Sequence, residues 1–203
     1  MKIRDMDGTT TAETPTAGVD ASAVVLVEGV SDRCAVEALA ERRGRDLAAE
    51  GVAVVPIGGA QAIGRFLERF GPGGLDLRLA GLCDAGEERD FRRGLERAGL
   101  GSTLDRAGME ALGFFVCDAD LEDELIRALG ADGVVEVVRA NGDLGPFRTL
   151  QKQPEWRGRP TAAQLRRWMG SGGRRKIRYA RLLVEALEPA QVPRPLDRLL
   201  THI

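Results

Sequence analysis

The sequence predicts an α/β fold in which a four-stranded parallel sheet is flanked by helices and followed by a helical extension. Short runs of apolar, mostly β-branched residues recur along the chain, and a segment with helical periodicity follows each run. Glycines or acidic residues stand at the junctions. Because each intervening helix is long enough for a crossover, successive strands should run parallel with right-handed connections. A chain of 203 residues, 43% of them hydrophobic, suits one globular domain with appendages.

The first predicted strand, residues 24–27, is an uninterrupted apolar run of the kind found in strands that are buried on both faces. Ser31 is then a candidate N-cap for a helix that ends near Arg43. The second strand is predicted over residues 51–57. Pro56 lies near its end, where a missing backbone donor is tolerated.

The third strand is predicted over residues 75–83 and the fourth within residues 109–117. The helix before the third strand carries its apolar residues on one face, as expected for a helix packed on a sheet. After the fourth strand the sequence predicts helices alone. Predicted helices after the first are residues 60–70, 87–98, 122–130, 132–140, 144–152, 161–169, 174–187 and 194–201.

The chain divides into three predicted parts: a flexible leader over residues 1–20, an α/β domain over 21–131 and a basic helical extension over 132–203. The net charge of −2 hides an asymmetry between them. Residues 142–203 carry 13 Lys and Arg against 5 Asp and Glu, whereas the remaining residues carry 16 basic and 26 acidic side chains. Such asymmetry suggests a phosphate-bearing partner held beside a cation-binding site, although two solvated surfaces would explain the charges equally well.

Acidic residues follow three of the predicted strands directly: Glu28, Asp84 and Asp118. The carboxyl ends of parallel strands meet at one edge of a sheet, where open α/β folds bind their ligands. Carboxylates crowded at that edge need a neutralising ion, and oxygen ligands suit Mg²⁺ or Mn²⁺. Two such ions can clamp the attacking and leaving oxygens of a phosphodiester. Further acids open the helices after these strands: Asp32, Glu87, Asp120, Glu122 and Asp123.

Other function classes find less support in the sequence. No apolar run approaches the roughly 18 residues of a membrane span, and the three scattered cysteines show neither a disulfide framework nor zinc spacing, so a reducing cytoplasm is expected. Residues 59–64 have the glycine spacing of a phosphate loop, but Arg65 stands where the lysine should be. Three aromatic residues of the extension can stack on bases or pack between helices, and packing is favoured: Trp156, Trp168 and Tyr179.

The order of these motifs resembles the TOPRIM domain of the OLD (overcoming lysogenization defect) family. The first strand ends in Glu28, and Asp32 follows four residues later, as in the first OLD-type motif. Asp84 resembles the third-strand motif, although Gly86 replaces its second Asp. The sequence Leu-Glu-Asp over residues 121–123 resembles the acids after the fourth strand. Residues 173–180 resemble the region of a C-terminal lysine, which makes Lys176 the matching residue.

The resemblance implies a Rossmann-like TOPRIM fold and a DNA endonuclease that works with two Mg²⁺ or Mn²⁺ ions. Glu28 and Lys176 would be the catalytic residues. Two alternatives stay open: a catalytically weak module that binds nucleic acid or a separate ATPase partner, and a nuclease that processes RNA. Metal ligands implied by the resemblance and the acid pattern are Glu28, Asp32, Asp84, Glu87, Asp120, Glu122 and Asp123, and the implied nucleic-acid contacts are Arg174, Arg175, Lys176 and Arg178.

Overall fold

The computed structural model of the protein describes residues 21–203, and the predicted leader lies outside the described residues. The described chain forms a four-stranded parallel sheet in the order β2-β1-β3-β4, which confirms the predicted fold class. Its strands are β1 (Ala23–Val27), β2 (Val52–Pro56), β3 (Arg78–Cys83) and β4 (Phe114–Val116).

Strand β1 lies in the interior of the sheet and is buried along its whole length. It pairs with β2 on one side and β3 on the other, so that Val25 stands beside Val54 and Ala80. Because side chains alternate along a strand, Val25 enters the core on one face of the sheet and Leu26 enters the core on the opposite face. The continuous apolar run of β1 thus reflects a strand covered on both sides.

Helices cover both faces of the sheet. α2, α3 and α4 pack on one face, and α1 packs on the other with α5 to α9. None of the helices in residues 21–203 is both long and apolar enough to cross a membrane. The helices are α1 (Val30–Arg42), α2 (Ile63–Phe70), α3 (Glu88–Arg97), α4 (Arg106–Ala111), α5 (Leu121–Ala140), α6 (Leu144–Lys152), α7 (Thr161–Gly170), α8 (Gly173–Ala186) and α9 (Arg194–His202).

The predicted start of the third strand is wrong, and the fourth strand is shorter than the range in which it was predicted. The third strand begins at Arg78, because the backbone N–H of Leu75 donates to the carbonyl of Arg69 at 2.9 Å and closes the end of α2 instead. The fourth strand lies within the predicted residues 109–117 but is only three residues long, and Met109 belongs to α4, where it points into the core. A short apolar run does not by itself distinguish a buried helix from a strand.

Two helix predictions also differ from the structure. The N-cap of α1 is Gly29 and not Ser31, because the backbone N–H of Gly29 donates to the Asp32 carboxylate at 2.8 Å. The two helices predicted on either side of residue 131 form one element, α5, with a kink at Gly130. The φ of 71° at Gly130 lies in the left-handed region that glycine adopts without strain.

The C-terminal helices share one core with the sheet. Trp168 of α7 packs edge-to-face between Phe147 and Tyr179, with ring centroids 5.7 and 5.1 Å apart. Trp168 and Tyr179 are therefore packing residues, the alternative that the sequence favoured. α8 runs along α1, and the Arg42 side chain donates to the carbonyl of Val184 at 2.6 Å. This packing places the start of α8 at the carboxyl edge of the sheet.

Candidate active site

The ends of β1 and β3 bring the first two acids into contact. Glu28 follows β1 and Asp84 follows β3, and the two strands are neighbours. Oε1 of Glu28 accepts a hydrogen bond from the backbone N–H of Asp84 at 2.7 Å. Glu28 therefore joins the two strand ends, and its other carboxylate oxygen has no hydrogen-bond partner within residues 21–203.

Asp32 lies in the first turn of α1 with only 9% of its surface exposed. Its Oδ2 accepts from the backbone N–H of Gly29, which fixes the carboxylate against the loop between β1 and α1. A carboxylate at a helix N-terminus is also favoured by the helix dipole. The bond to Gly29 partly offsets the cost of burying the carboxylate, and it holds Asp32 beside the end of β1.

Glu122 and Lys176 form the third component of the site. Glu122 opens α5 and is 8% exposed, and its Oε2 lies 3.2 Å from Nζ of Lys176 on α8. Its second oxygen, Oε1, is buried without a hydrogen-bond partner in the part of the chain that the structure describes. Leaving a buried carboxylate oxygen unsatisfied is costly. A cation bound to this oxygen would remove that cost.

The pKa values show how closely the acids are crowded. Burial raises the pKa of Asp84 to about 8, and the negative charges of Glu28 and Asp32 contribute to the rise. Burial also raises the pKa of Glu28, Asp32 and Glu122, each with a contribution from a neighbouring carboxylate. Burial by itself would lower the pKa of Lys176, but Glu122 and Asp32 outweigh it, so that this pKa is raised. Lys176 is thus the ammonium group that partly neutralises the cluster.

The other predicted metal ligands lie at the margin of this cluster or outside it. Glu87 is near enough to raise the pKa of Glu28. Asp120 accepts from the backbone N–H of Asp123 as the N-cap of α5, and its other oxygen accepts from Nε of Arg166 at 2.8 Å. Asp123 instead binds Nε of Arg127 at 2.9 Å. The structure thus gathers Glu28, Asp32, Asp84 and Glu122, with Glu87 and Asp120 beside them, and draws Asp123 into a separate ion-pair group.

That second group contains residues which the sequence analysis missed. Arg127 reaches Asp118 at 3.2 Å and Glu124 at 2.9 Å, so the third strand-end acid is neutralised locally. Glu124 also accepts from the backbone N–H of Asp118. The spacing of Asp123 and Arg127, four residues apart on a helix, was a readable signal for this pair. Arg166 had none, because it is 46 residues from Asp120.

The donor set fits a hard divalent cation in its chemistry, since every available ligand atom is a carboxylate oxygen. Among residues 21–203, no three acidic, histidine or cysteine side chains converge closely enough to hold an ion in the conformation seen. Within the described residues, Oε1 of Glu122 is the buried carboxylate oxygen that lacks a partner and could bind such an ion. A cavity of about 750 Å³ lies between α1 and β2, and none of these acids lines it.

The predicted nucleic-acid contacts have different environments. Arg174 is exposed at the start of α8. Arg175 stacks on Trp168, with its guanidinium 4.4 Å from the ring centroid, and donates to the carbonyl of the same residue. Arg178 binds Asp143 at 2.8 Å. Arg175 and Arg178 therefore hold helices together, which leaves Arg174 and Lys176 as the members of this set best placed to meet a phosphate.

The comparisons with known proteins agree with this architecture. Residues 21–85 match the sequence model of the family described as "Overcoming lysogenization defect protein-like, TOPRIM domain". This segment contains β1 to β3 and three of the site acids, Glu28, Asp32 and Asp84. No curated protein matches the chain.

Solved structures extend the similarity over most of the chain. The C-terminal region of the Burkholderia pseudomallei OLD protein has a TM-score of 0.68 and 22% identity, over 90% of this chain and 96% of that one. The platinum-phased structure of the C-terminal region of the Xanthomonas campestris pv. campestris OLD protein has a TM-score of 0.69 and 27% identity. The match covers 90% of this chain and 92% of that one. The mercury-phased structure of that region has the same TM-score and 25% identity, and the match covers 90% of this chain and 94% of that one.

Proposed function

We propose that this chain, which carries a TOPRIM domain of the OLD type, is a metal-dependent nuclease that cleaves phosphodiester bonds of DNA. The observation that carries the proposal is the group of buried and half-buried carboxylates at one sheet edge, with raised pKa values and an oxygen of Glu122 that has no partner within residues 21–203. A protein retains such a group at a cost in stability, and perturbed carboxylates in a cleft are typical of functional sites. Divalent cations would remove that cost.

The residues that would hold Mg²⁺ or Mn²⁺ are Glu28, Asp32, Asp84 and Glu122. When bound, such ions would offset the charge of the phosphate oxygens and lower the pKa of a bound water. Glu28 contributes by position as well, because its bond to the Asp84 backbone fixes it between two strand ends. Its raised pKa brings it closer to the pH at which a carboxylate can accept a proton from an attacking water.

Lys176 would act on the phosphate itself. It lies on α8, faces Glu122 and Asp32, and carries a firmly held proton. A lysine ammonium is a compact charge that meets phosphate oxygens without the paired geometry of arginine. Placed where negative charge develops during cleavage, it lowers the barrier, and one such donor is worth about 3 kcal/mol.

A second candidate function is nucleic-acid binding with little or no cleavage. Two observations favour it: Gly86 stands where the resembled motif has a second Asp, and Lys176 and Arg166 are already paired with Glu122 and Asp120. A domain of this kind would still bind DNA or RNA, or regulate a separate ATPase. Cleavage separates this alternative from the nuclease.

The test is incubation of supercoiled plasmid with purified protein in Mg²⁺, in Mn²⁺ and in EDTA. We expect cleavage with either ion, loss of cleavage in EDTA, and loss of cleavage in Asp84→Asn. The matched control is Asp118→Asn, which alters a strand-end acid that Arg127 neutralises outside the cluster. No metal-dependent cleavage of plasmid or of structured RNA by folded wild-type protein would reject the nuclease and favour the binding module. If structured RNA competes with plasmid cleavage more strongly than unlabelled DNA does, the substrate is RNA instead of DNA.

A further inference from the structure

A pocket of about 480 Å³ opens directly beside the acid cluster. Its inner wall contains Glu122 and Lys176, and its outer wall contains Trp156, Arg159 and Arg167. The volume lies within the range of roughly 300–1,000 Å³ that is usual for sites of small ligands. A ligand in this pocket would therefore lie next to any phosphodiester held at the acids.

The outer wall of the pocket carries positive charge. Arg166 and Lys176 are paired with Asp120 and Glu122 at the inner wall. Arg159 and Arg167 are exposed, and neither has a carboxylate partner within residues 21–203. Unpaired arginines at the mouth of a pocket favour an anionic ligand, and arginine is well suited to phosphate oxygens.

The same wall offers an aromatic surface. Trp156 is half-buried and lines the pocket, in contrast to Trp168, which is 2% exposed and enclosed in the core. The guanidinium of Arg159 lies over the Trp156 ring, 5.4 Å from its centroid. The backbone carbonyl of Trp156 accepts from the side chain of Gln164 at 2.8 Å, which anchors this segment to α7. An indole with an arginine beside it is a common surface for nucleic-acid bases.

We infer that this pocket binds one unpaired nucleotide adjacent to the scissile phosphate, with its base against Trp156 and its phosphates near Arg159 and Arg167. The inference rests on the proposed function and names its substrate class: DNA with a single-stranded segment at the cleavage position. A base inside a duplex is already stacked and paired, so it must be unstacked before it can enter such a pocket. An unpaired base enters without that cost.

Tryptophan fluorescence tests the inference without cleavage. The protein has two tryptophans, and Trp168 is buried, so the accessible signal comes from Trp156. In EDTA we expect a short single-stranded oligonucleotide to quench this emission. The same sequence as a blunt duplex should quench less, and an abasic strand with the same phosphates should quench least. Trp156→Phe should abolish the quenching while still binding the strand by fluorescence anisotropy.

Affinity measurements give a second readout. Stacking of a base on an aromatic residue implies that Trp156→Ala binds single strands about fivefold to a hundredfold more weakly. Arg167→Ala should weaken intact and abasic strands alike and reduce the salt dependence by about one phosphate contact. Arg198→Ala, at an exposed arginine of α9 outside the pocket, is the matched control and should change neither.

Three results would overturn the inference: no quenching by single strands, equal quenching by the blunt duplex, or equal affinity for intact and abasic strands in the wild-type protein. The last comparison needs no variant, so it holds even if Trp156→Ala fails to fold. Because every measurement is made in EDTA, failure of the pocket is distinguishable from failure of the nuclease. Single-strand binding without any cleavage in Mg²⁺ or Mn²⁺ would support the pocket and reject the nuclease.

Discussion

Replacing Asp84 with asparagine should stabilise the metal-free protein, but only at pH values at which Asp84 would otherwise be charged. Its pKa is raised from an ordinary 3.8 to about 8 in the folded state, mainly because burial disfavours the carboxylate. The folded state therefore binds a proton that the unfolded chain releases. The contribution of Asp84 to stability is full below pH 3.8 and is lost as the pH rises through about 8. The asparagine of the variant never ionises and escapes that loss.

The size of the effect follows from the pKa. The pKa values of Asp84 in the folded and unfolded states differ by about four, which corresponds to an upper limit of about 5 kcal/mol in the free energy of unfolding. Asp84 is partly exposed, and solvent screening reduces this figure to about 2 kcal/mol. For a domain of this size, each kcal/mol moves the melting temperature by about 2–4 °C. Asp84→Asn should therefore melt about 4–8 °C above wild type at a pH above 8, and close to wild type at a pH near 4.

The assay is thermal denaturation in EDTA at both pH values, followed by circular dichroism. Asp118→Asn is the control, since Asp118 is exposed and paired with Arg127. It should show no gain that grows with pH. A raised pKa at Asp84 is refuted if Asp84→Asn is no more stable than wild type at the higher pH, or if its gain in stability is the same at both pH values.

The remaining predictions concern ions, cleavage and binding. Mg²⁺ or Mn²⁺ at a hundredfold excess over its dissociation constant should stabilise the wild type by about 2.7 kcal/mol; an equal gain in the Glu28→Ala/Asp84→Asn double variant would reject the metal site. Lys176→Ala should cleave plasmid about a hundredfold more slowly while ions still raise its melting temperature, and an unchanged rate would remove the lysine from the mechanism. Arg174→Ala should weaken DNA binding and reduce the slope of log affinity against log salt by about one, the value for one phosphate contact. Titrations at several salt concentrations measure this slope. Arg175 is unsuitable for that test because it supports Trp168.

Local sequence was sufficient for much of the fold and for the centre of the site. Strand β1 was readable because a continuous apolar run ends at an acid and a glycine, and parallel strands align such ends. The contact between Glu28 and Asp84 follows from that alignment once β1 and β3 are neighbours. The extent of the fourth strand within residues 109–117 was not readable, since Met109 is equally apolar in a short helix.

The charge partners of the acids were beyond local reasoning. Arg166 meets Asp120 across 46 residues, and only the packing of α7 against α5 brings them together. The resemblance to a known family supplied Lys176, which spacing alone did not single out. Residues joined by tertiary packing leave no periodic trace in the sequence, so their pairing appears only in the folded chain.

The packing of α8 along α1 constrains how the site can change. α1 carries Asp32 and α8 carries Lys176, and the bond from Arg42 to Val184 ties the two helices together. A chimera that took the sheet from one relative and the C-terminal helices from another would separate surfaces that were fitted to each other. We expect such exchanges to succeed only when both helices come from the same parent. The acid and the ammonium group would then be inherited as a unit, even though 144 positions of sequence separate them.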